Sequence, residues 1–128
     1  MKAILDTHTF IWMDTDPARL TRNVLAHFAD PSCDIYLSTV SVWEVIFKVG
    51  SGKLTLSGDI HQVIRDIESR NPLKILPIQY DHTLAVRNLP PIHKDPFDRM
   101  LVAQAMVENA VLLSCDPHIR RYPVTVVW

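Results

Sequence analysis

Cysteine and glycine are both scarce in this chain. Its two cysteines, Cys33 and Cys115, form no C-x-x-C pair, which argues against a structural zinc site and leaves both thiols reduced in a cytosol. The three glycines all fall between Gly50 and Gly58. No Gly/Ser linker, internal repeat or low-complexity tract divides the sequence. No apolar run is long enough to span a membrane, and MKAILD reaches a charge too soon for a secretory signal. A cytoplasmic location is expected. An excess of one charge is missing as well: the formal net charge is −1, so no global basic field advertises a nucleic-acid partner. A polyanion would have to be met by local cations and a bound metal.

What remains is an ordinary globular composition, 48% hydrophobic and 21% charged in 128 residues. That length suits one domain, residues 1–128, with a single well-buried core. Short apolar runs alternate with helical spacings. KAILD, DIYLS, KILPI (cut short by Pro77), AVLLS and VTVVW read as strands. Leu20, Val24, Leu25 and Phe28 predict a helix from Pro17 to about Asp30, with Asp16 as its N-cap. Further helices are expected over Ser41–Val49, Asp59–Ser69, Asp81–Asn88 and Pro96–Glu108. Strands alternating with helices predict an α/β fold, with a parallel sheet, doubly wound through right-handed crossovers. Strands buried on both faces should be continuously apolar, as AILD, VLLS and TVVW are.

Acidic residues sit where these runs end. Asp6 follows KAIL, Glu44 follows YLSTVSVW, and Asp116 follows AVLLSC; Asp98 lies in HKDPFDRMLVAQA, one turn from Asp95. Each has a structural explanation. Asp95-Pro96 and Asp116-Pro117 are cap-then-proline signatures, and Ser41 with Glu44 spells a capping box. Asp6 is harder to explain that way, because Thr7 and Thr9 could cap in its place. Capping also fails to explain why several segments bring acids to one edge of one sheet. Converging carboxylates repel and raise one another's pKa unless a cation neutralises them. A hard divalent ion with oxygen ligands, Mg²⁺ or Mn²⁺, is the natural partner.

These segments resemble the PIN-domain ribonucleases, specifically VapC toxins of bacterial and archaeal toxin–antitoxin pairs. The similarity runs through LDTHTFIW, VSVWEVIFKVGSGKL, LPPIHKDPFDRMLVAQA and LLSCDPHIRRY. It implies an α/β/α sandwich around a parallel sheet of four to five strands. It also implies Mg²⁺- or Mn²⁺-dependent cleavage of transfer or ribosomal RNA to 5′-phosphate and 3′-hydroxyl ends. A homodimer inhibited by a VapB-type antitoxin is expected. Carried over residue by residue, Asp6, Glu44, Asp98 and Asp116 match the four catalytic, metal-binding acids. Thr7 and Ser114 match hydroxyl residues that could orient them, and Asp95 is read mainly as the helix cap. The resemblance leaves two rivals. One is a PIN fold that binds without cutting. The other is a phosphatase of the haloacid-dehalogenase type, which needs a second aspartate where His8 stands.

Cations cluster near the acids. Lys48 lies four residues after Glu44, an ion-pair spacing on a helix. Lys94 and Arg99 flank Asp98, while Arg120 and Arg121 follow Asp116; together they could form a phosphate-binding rim. His8, His93 and His118 stand within a few residues of the acids, but an oxygen-liganded site gives them little part. Trp12, Trp43 and Phe97 could stack on bases, although their apolar neighbours favour packing in a core or dimer.

Overall fold

The computed structural model describes all 128 residues. Five strands form one parallel sheet: β1 (Lys2–Leu5), β2 (Asp34–Ser38), β3 (Leu73–Leu76), β4 (Val111–Leu113) and β5 (Val126–Val127), in the order β3-β2-β1-β4-β5. Pairing is in register from Ala3 to Ile35 on one side and from Ala3 to Val111 on the other. Side chains alternate across a strand, so β1 feeds two cores. Ala3 and Leu5 join Phe10, Val24, Ile35, Val63 and Ile67 on one face, while Ile4 joins Leu101, Val102, Leu112 and Ile119 on the other. Helices therefore cover both faces, an α/β/α sandwich.

Six helices provide those layers: α1 (Thr7–Thr15), α2 (Arg22–Ala29), α3 (Thr39–Gly50), α4 (Ile60–Arg70), α5 (Tyr80–Ala85) and α6 (Pro96–Glu108). α4 and α6 lie where the spacing places them, capped by Asp59 and Asp95. α1 was not foreseen. Phe10-Ile11-Trp12-Met13 is apolar without interruption, which hides the helical period; the buried set is Thr7, Thr9, Phe10 and Ile11. The expected helix from Pro17 is divided. Pro17–Arg19 is a single 3-10 turn, Leu20 is extended, and the Thr21 hydroxyl caps α2 by accepting from Val24 N–H at 3.3 Å. Asp16 caps nothing with its side chain.

Two other capping expectations are also corrected. Ser38, not Ser41, caps α3 through Val40 N–H at 3.1 Å, so Glu44 sits in the second turn, beyond reach of a capping box. Thr7 and Thr9 do not cap α1. Thr7 Oγ1 donates to Ser41 Oγ at 2.9 Å and Thr9 Oγ1 to the Leu113 carbonyl at 2.7 Å, tying α1 to α3 and β4. α3 ends as the glycines suggest: Gly52 takes a φ of +76°, and Lys53 N–H returns to the Lys48 carbonyl at 2.9 Å, a left-handed cap that glycine adopts without strain.

Candidate metal centre

The strand order reverses between β1 and β4. Connections leaving an open parallel sheet diverge at such a point and open a crevice at the strands' C-terminal ends. Asp6 follows β1 directly, and Ser114 and Asp116 follow β4; α3 brings Glu44 and α6 brings Asp98. A cavity of about 260 Å³ lies there, lined by Asp6, His8, Trp12, Cys115, Asp116 and Pro117.

Asp6 occupies the N-cap position of α1, yet its carboxylate makes no capping bond. The residue is 2% exposed. Its Oδ2 accepts from Ser114 Oγ at 2.7 Å, and the same hydroxyl accepts from Asp116 N–H at 3.0 Å. Oδ1 has no partner. Burial raises the Asp6 pKa, and the Ser114 hydrogen bond, the His8 charge and the Thr7 amide offset only part of the rise.

Glu44 repeats the pattern. It is 1% exposed, its Oε2 accepts from Lys48 Nζ at 2.5 Å, and Oε1 has no partner. Burial works against the Lys48 ammonium, but the Glu44 bond and the charges of Asp95 and Asp98 outweigh it and hold its pKa above the ordinary value. Lys48 is thus an internal counter-ion of the cluster. Asp98 stands where the fields converge: burial first, then repulsion from Asp6, Asp95, Glu44 and Asp116, push its pKa up to about 8. Asp95 fills the capping role read from the sequence, its Oδ1 accepting from Phe97 N–H at 2.8 Å, while adding to that repulsion. Asp116 spends Oδ1 on His118 N–H at 2.8 Å.

His93 was undervalued in the sequence. Its Nε2 lies 3.0 Å from Asp98 Oδ2 and 3.2 Å from Asp116 Oδ2, and the three side chains offer ligand atoms within 4.8 Å of one another. The signal was its place two residues before Asp95; preference for oxygen ligands obscured it. Arg99, a rim candidate, turns away. Its guanidinium donates to the Pro90 carbonyl at 2.9 Å and the Tyr122 hydroxyl at 3.2 Å, bracing the segment before α6. Lys94, Arg120 and Arg121 are exposed and form no ion pair, which leaves them free as a rim. Trp43 is 59% exposed and stands edge-on to Phe97, ring centroids 5.0 Å apart, so it belongs to the surface and not to this chain's core. Trp12 is covered by Arg19, 3.8 Å above its ring.

Two buried carboxylate oxygens without partners are costly, on the order of 1–3 kcal/mol each and more when charged, and a crowd of carboxylates around Asp98 adds to the penalty. A divalent cation relieves both. The donors are carboxylate oxygens with the His93 ring among them; Cys33 is buried elsewhere and only the exposed Cys115 lines the crevice, a set that suits Mg²⁺ or Mn²⁺ better than a thiolate-seeking metal.

An open α/β sheet with an acidic crevice at its switch point is the class that fold and site define. Residues 3–124 match the family model of the PIN domain, and the chain belongs to that family. Its fold is similar to that of VapBC2 from Rickettsia felis, solved with a DNA fragment from its promoter (TM-score 0.73, 15% identity, 99% of this chain and 98% of the other). It is similar also to DNA-bound VapBC from Salmonella typhimurium (0.70, 17%, 99% and 97%) and to FitAcB from Neisseria gonorrhoeae (0.61, 22%, 98% and 96%). No curated protein matches in sequence.

Proposed function

We propose that this chain is a metal-dependent endoribonuclease and the toxin of a VapBC pair, with Asp6, Glu44, Asp98 and Asp116 as its metal-binding acids. The observation that carries the reading is the pair of buried, unpartnered oxygens, Asp6 Oδ1 and Glu44 Oε1, beside an Asp98 whose charge burial and its acidic neighbours oppose. Bound Mg²⁺ or Mn²⁺ would supply Lewis acidity, lowering the pKa of water and offsetting charge on phosphoryl oxygens. The chain's part is to set out the carboxylates. Ser114 aims Asp6, Lys48 steadies Glu44, and Asp95 caps the helix that presents Asp98. Attack on phosphorus by water, with the 3′ oxygen leaving, gives 5′-phosphate and 3′-hydroxyl ends. Lys94, Arg120 and Arg121 offer phosphate contacts at the rim.

The toxin reading draws on the VapBC structures that share this fold over nearly its whole length. The exposed apolar face of α3 supports a protein partner. Trp43, Ile46, Phe47 and Val49 stand out from the surface beside a cavity of about 420 Å³ lined in part by Ile46, Val49, Leu56 and Ile60. An exposed apolar patch of that kind marks an interface, either with a VapB-type antitoxin or with a second copy in a cytoplasmic homodimer. The test uses antitoxin-free protein with transfer RNA and ribosomal RNA, in Mg²⁺ and then in EDTA. Cleavage should require metal and be lost in Asp6→Asn. A folded wild type that cuts neither RNA, or an equally active Asp6→Asn, sinks the reading in favour of a binding module.

A further inference from the structure

The contacts around His93 determine which ring nitrogen carries the proton. Asp95 N–H points at Nδ1 from 3.2 Å, so Nδ1 is an acceptor. A neutral imidazole has one acceptor and one donor, which places the proton on Nε2. That N–H faces Asp98 Oδ2 at 3.0 Å and Asp116 Oδ2 at 3.2 Å. The main chain is held too. His93 N–H donates to the Tyr122 hydroxyl at 2.8 Å, and that hydroxyl accepts from Arg99 at 3.2 Å. Tyr122 is 3% exposed, and the His118 ring lies against His93 with centroids 5.2 Å apart.

An imidazole among metal carboxylates can be a ligand or a hydrogen-bond donor. Distance does not separate the two, because neighbouring ligands about 2.1 Å from an octahedral ion also stand about 3 Å apart. The tautomer does. To ligate, Nε2 would have to surrender its proton, and a neutral ring would then carry it on Nδ1, opposed to the Asp95 N–H. Asp95 cannot easily move aside, since its carboxylate is bonded to Phe97 N–H as the cap of α6.

We propose that His93 is a positioning residue, a fixed Nε2–H donor that clamps Asp98 from α6 to Asp116 from the β4 loop, and that it is not itself a metal ligand. The clamp engages Oδ2 of each acid. It leaves Asp98 Oδ1 for the ion and keeps the site an oxygen-donor site suited to Mg²⁺ or Mn²⁺. Outer partners that orient ligating carboxylates typically change metal affinity by about 10- to 100-fold when removed. The proposal rests on the reading that these acids hold a divalent ion.

Long-range ¹H–¹⁵N correlation spectra of the histidine rings in wild-type protein test it directly, first in EDTA and then at saturating Mg²⁺. The His93 Nε2 should remain protonated in both. Transfer of the proton to Nδ1 on adding Mg²⁺, or ¹⁴N coupling from His93 in pulsed EPR of the Mn²⁺-loaded protein, would show a ligand and overturn the clamp. Calorimetric Mn²⁺ titration gives a second readout. His93→Ala should bind about 10- to 100-fold more weakly, and His93→Gln, whose amide N–H reaches near the Nε2 position, should recover much of the loss. Equal affinity in wild type and His93→Ala overturns the proposal, as does failure of the wild type to bind either ion. Metal binding and tautomer as expected, without RNA cleavage, overturn only the nuclease reading.

Discussion

Replacing Asp98 with asparagine should make the metal-free protein more stable. The substitution keeps the shape and an acceptor for His93 while removing a charge that burial and four carboxylates oppose. The Asp98 pKa rises from 3.8 to about 8 on folding, and each pH unit between those values is worth about 1.4 kcal/mol, an upper bound of about 6 kcal/mol. Neighbouring carboxylates take up protons in its place and water screens part of the repulsion, so the expected gain is about 2 kcal/mol at pH 8. For a domain of this size that is an increase in Tm of about 6–10 °C.

The sign follows from linkage. A carboxyl raised on folding holds its proton more tightly in the native state, so its penalty is small near the unfolded value, grows as pH rises, and is complete above the folded value. Thermal melts in EDTA at pH 5 and pH 8 should therefore show wild type and Asp98→Asn close together at the lower pH and well separated at the higher. Adding Mg²⁺ at pH 8 should raise the wild-type Tm far more than the variant's. Equal melting of the two proteins at pH 8, or a less stable variant, would refute the idea that Asp98 sits in a repelling, cation-seeking cluster.

Two further outcomes are expected. Protons compete with metal for Asp98 below about pH 8, so Mg²⁺ affinity measured by calorimetry should fall about fivefold from pH 8 to pH 7; a flat profile would mean that Asp98 is not a ligand. Gln104 is wholly buried and links Ser38 Oγ, at 2.5 Å, to the His82 ring, at 3.4 Å. Gln104→Leu removes the acceptor of the Ser38 hydroxyl, while His82 keeps Gln79 N–H on Nδ1 and Glu108 on Nε2, and urea denaturation should show a loss of about 1–3 kcal/mol.

Much of the architecture was legible because parallel strands buried on both faces leave unbroken apolar runs, and because proline and aspartate punctuate helix starts. Asp95 caps the helix that its Asp-Pro pair marks, and Asp59, expected as the first residue of its helix, is in fact its cap. α1 escaped because its four adjacent apolar residues erase the period that marks a helix. The Pro17 helix was misjudged because a proline and an acid suit a 3-10 turn as well as an α-helix, and Thr21 offers a better cap one turn later. At the site, the acids stand out by type and position. Direction is what a linear pattern lacks. Nothing in DRM tells that Arg99 reaches back to Pro90 and Tyr122 instead of outward, and nothing in HKDPFD tells that His93 spans two carboxylates contributed by different segments.

The same limit explains why capping and metal binding could not be separated residue by residue. A carboxylate has two oxygens, and a cap uses one. Asp95 and Asp116 each spend an oxygen on a main-chain N–H, so a helix or turn accounts for their presence. Asp6 stands at a cap position but gives its bonded oxygen to Ser114, and Glu44 gives its own to Lys48. Each buries a second oxygen that no group in the chain satisfies. Folding could have avoided that cost with asparagine, glutamine or an apolar residue, because removing a buried charge that lacks full pairing is often neutral or stabilising. The retained cost is intelligible if something outside the chain completes those oxygens. Asp6 and Glu44, the two acids that each bury an unpartnered oxygen, therefore carry the argument for a cation more firmly than the better-marked aspartates of DPFD.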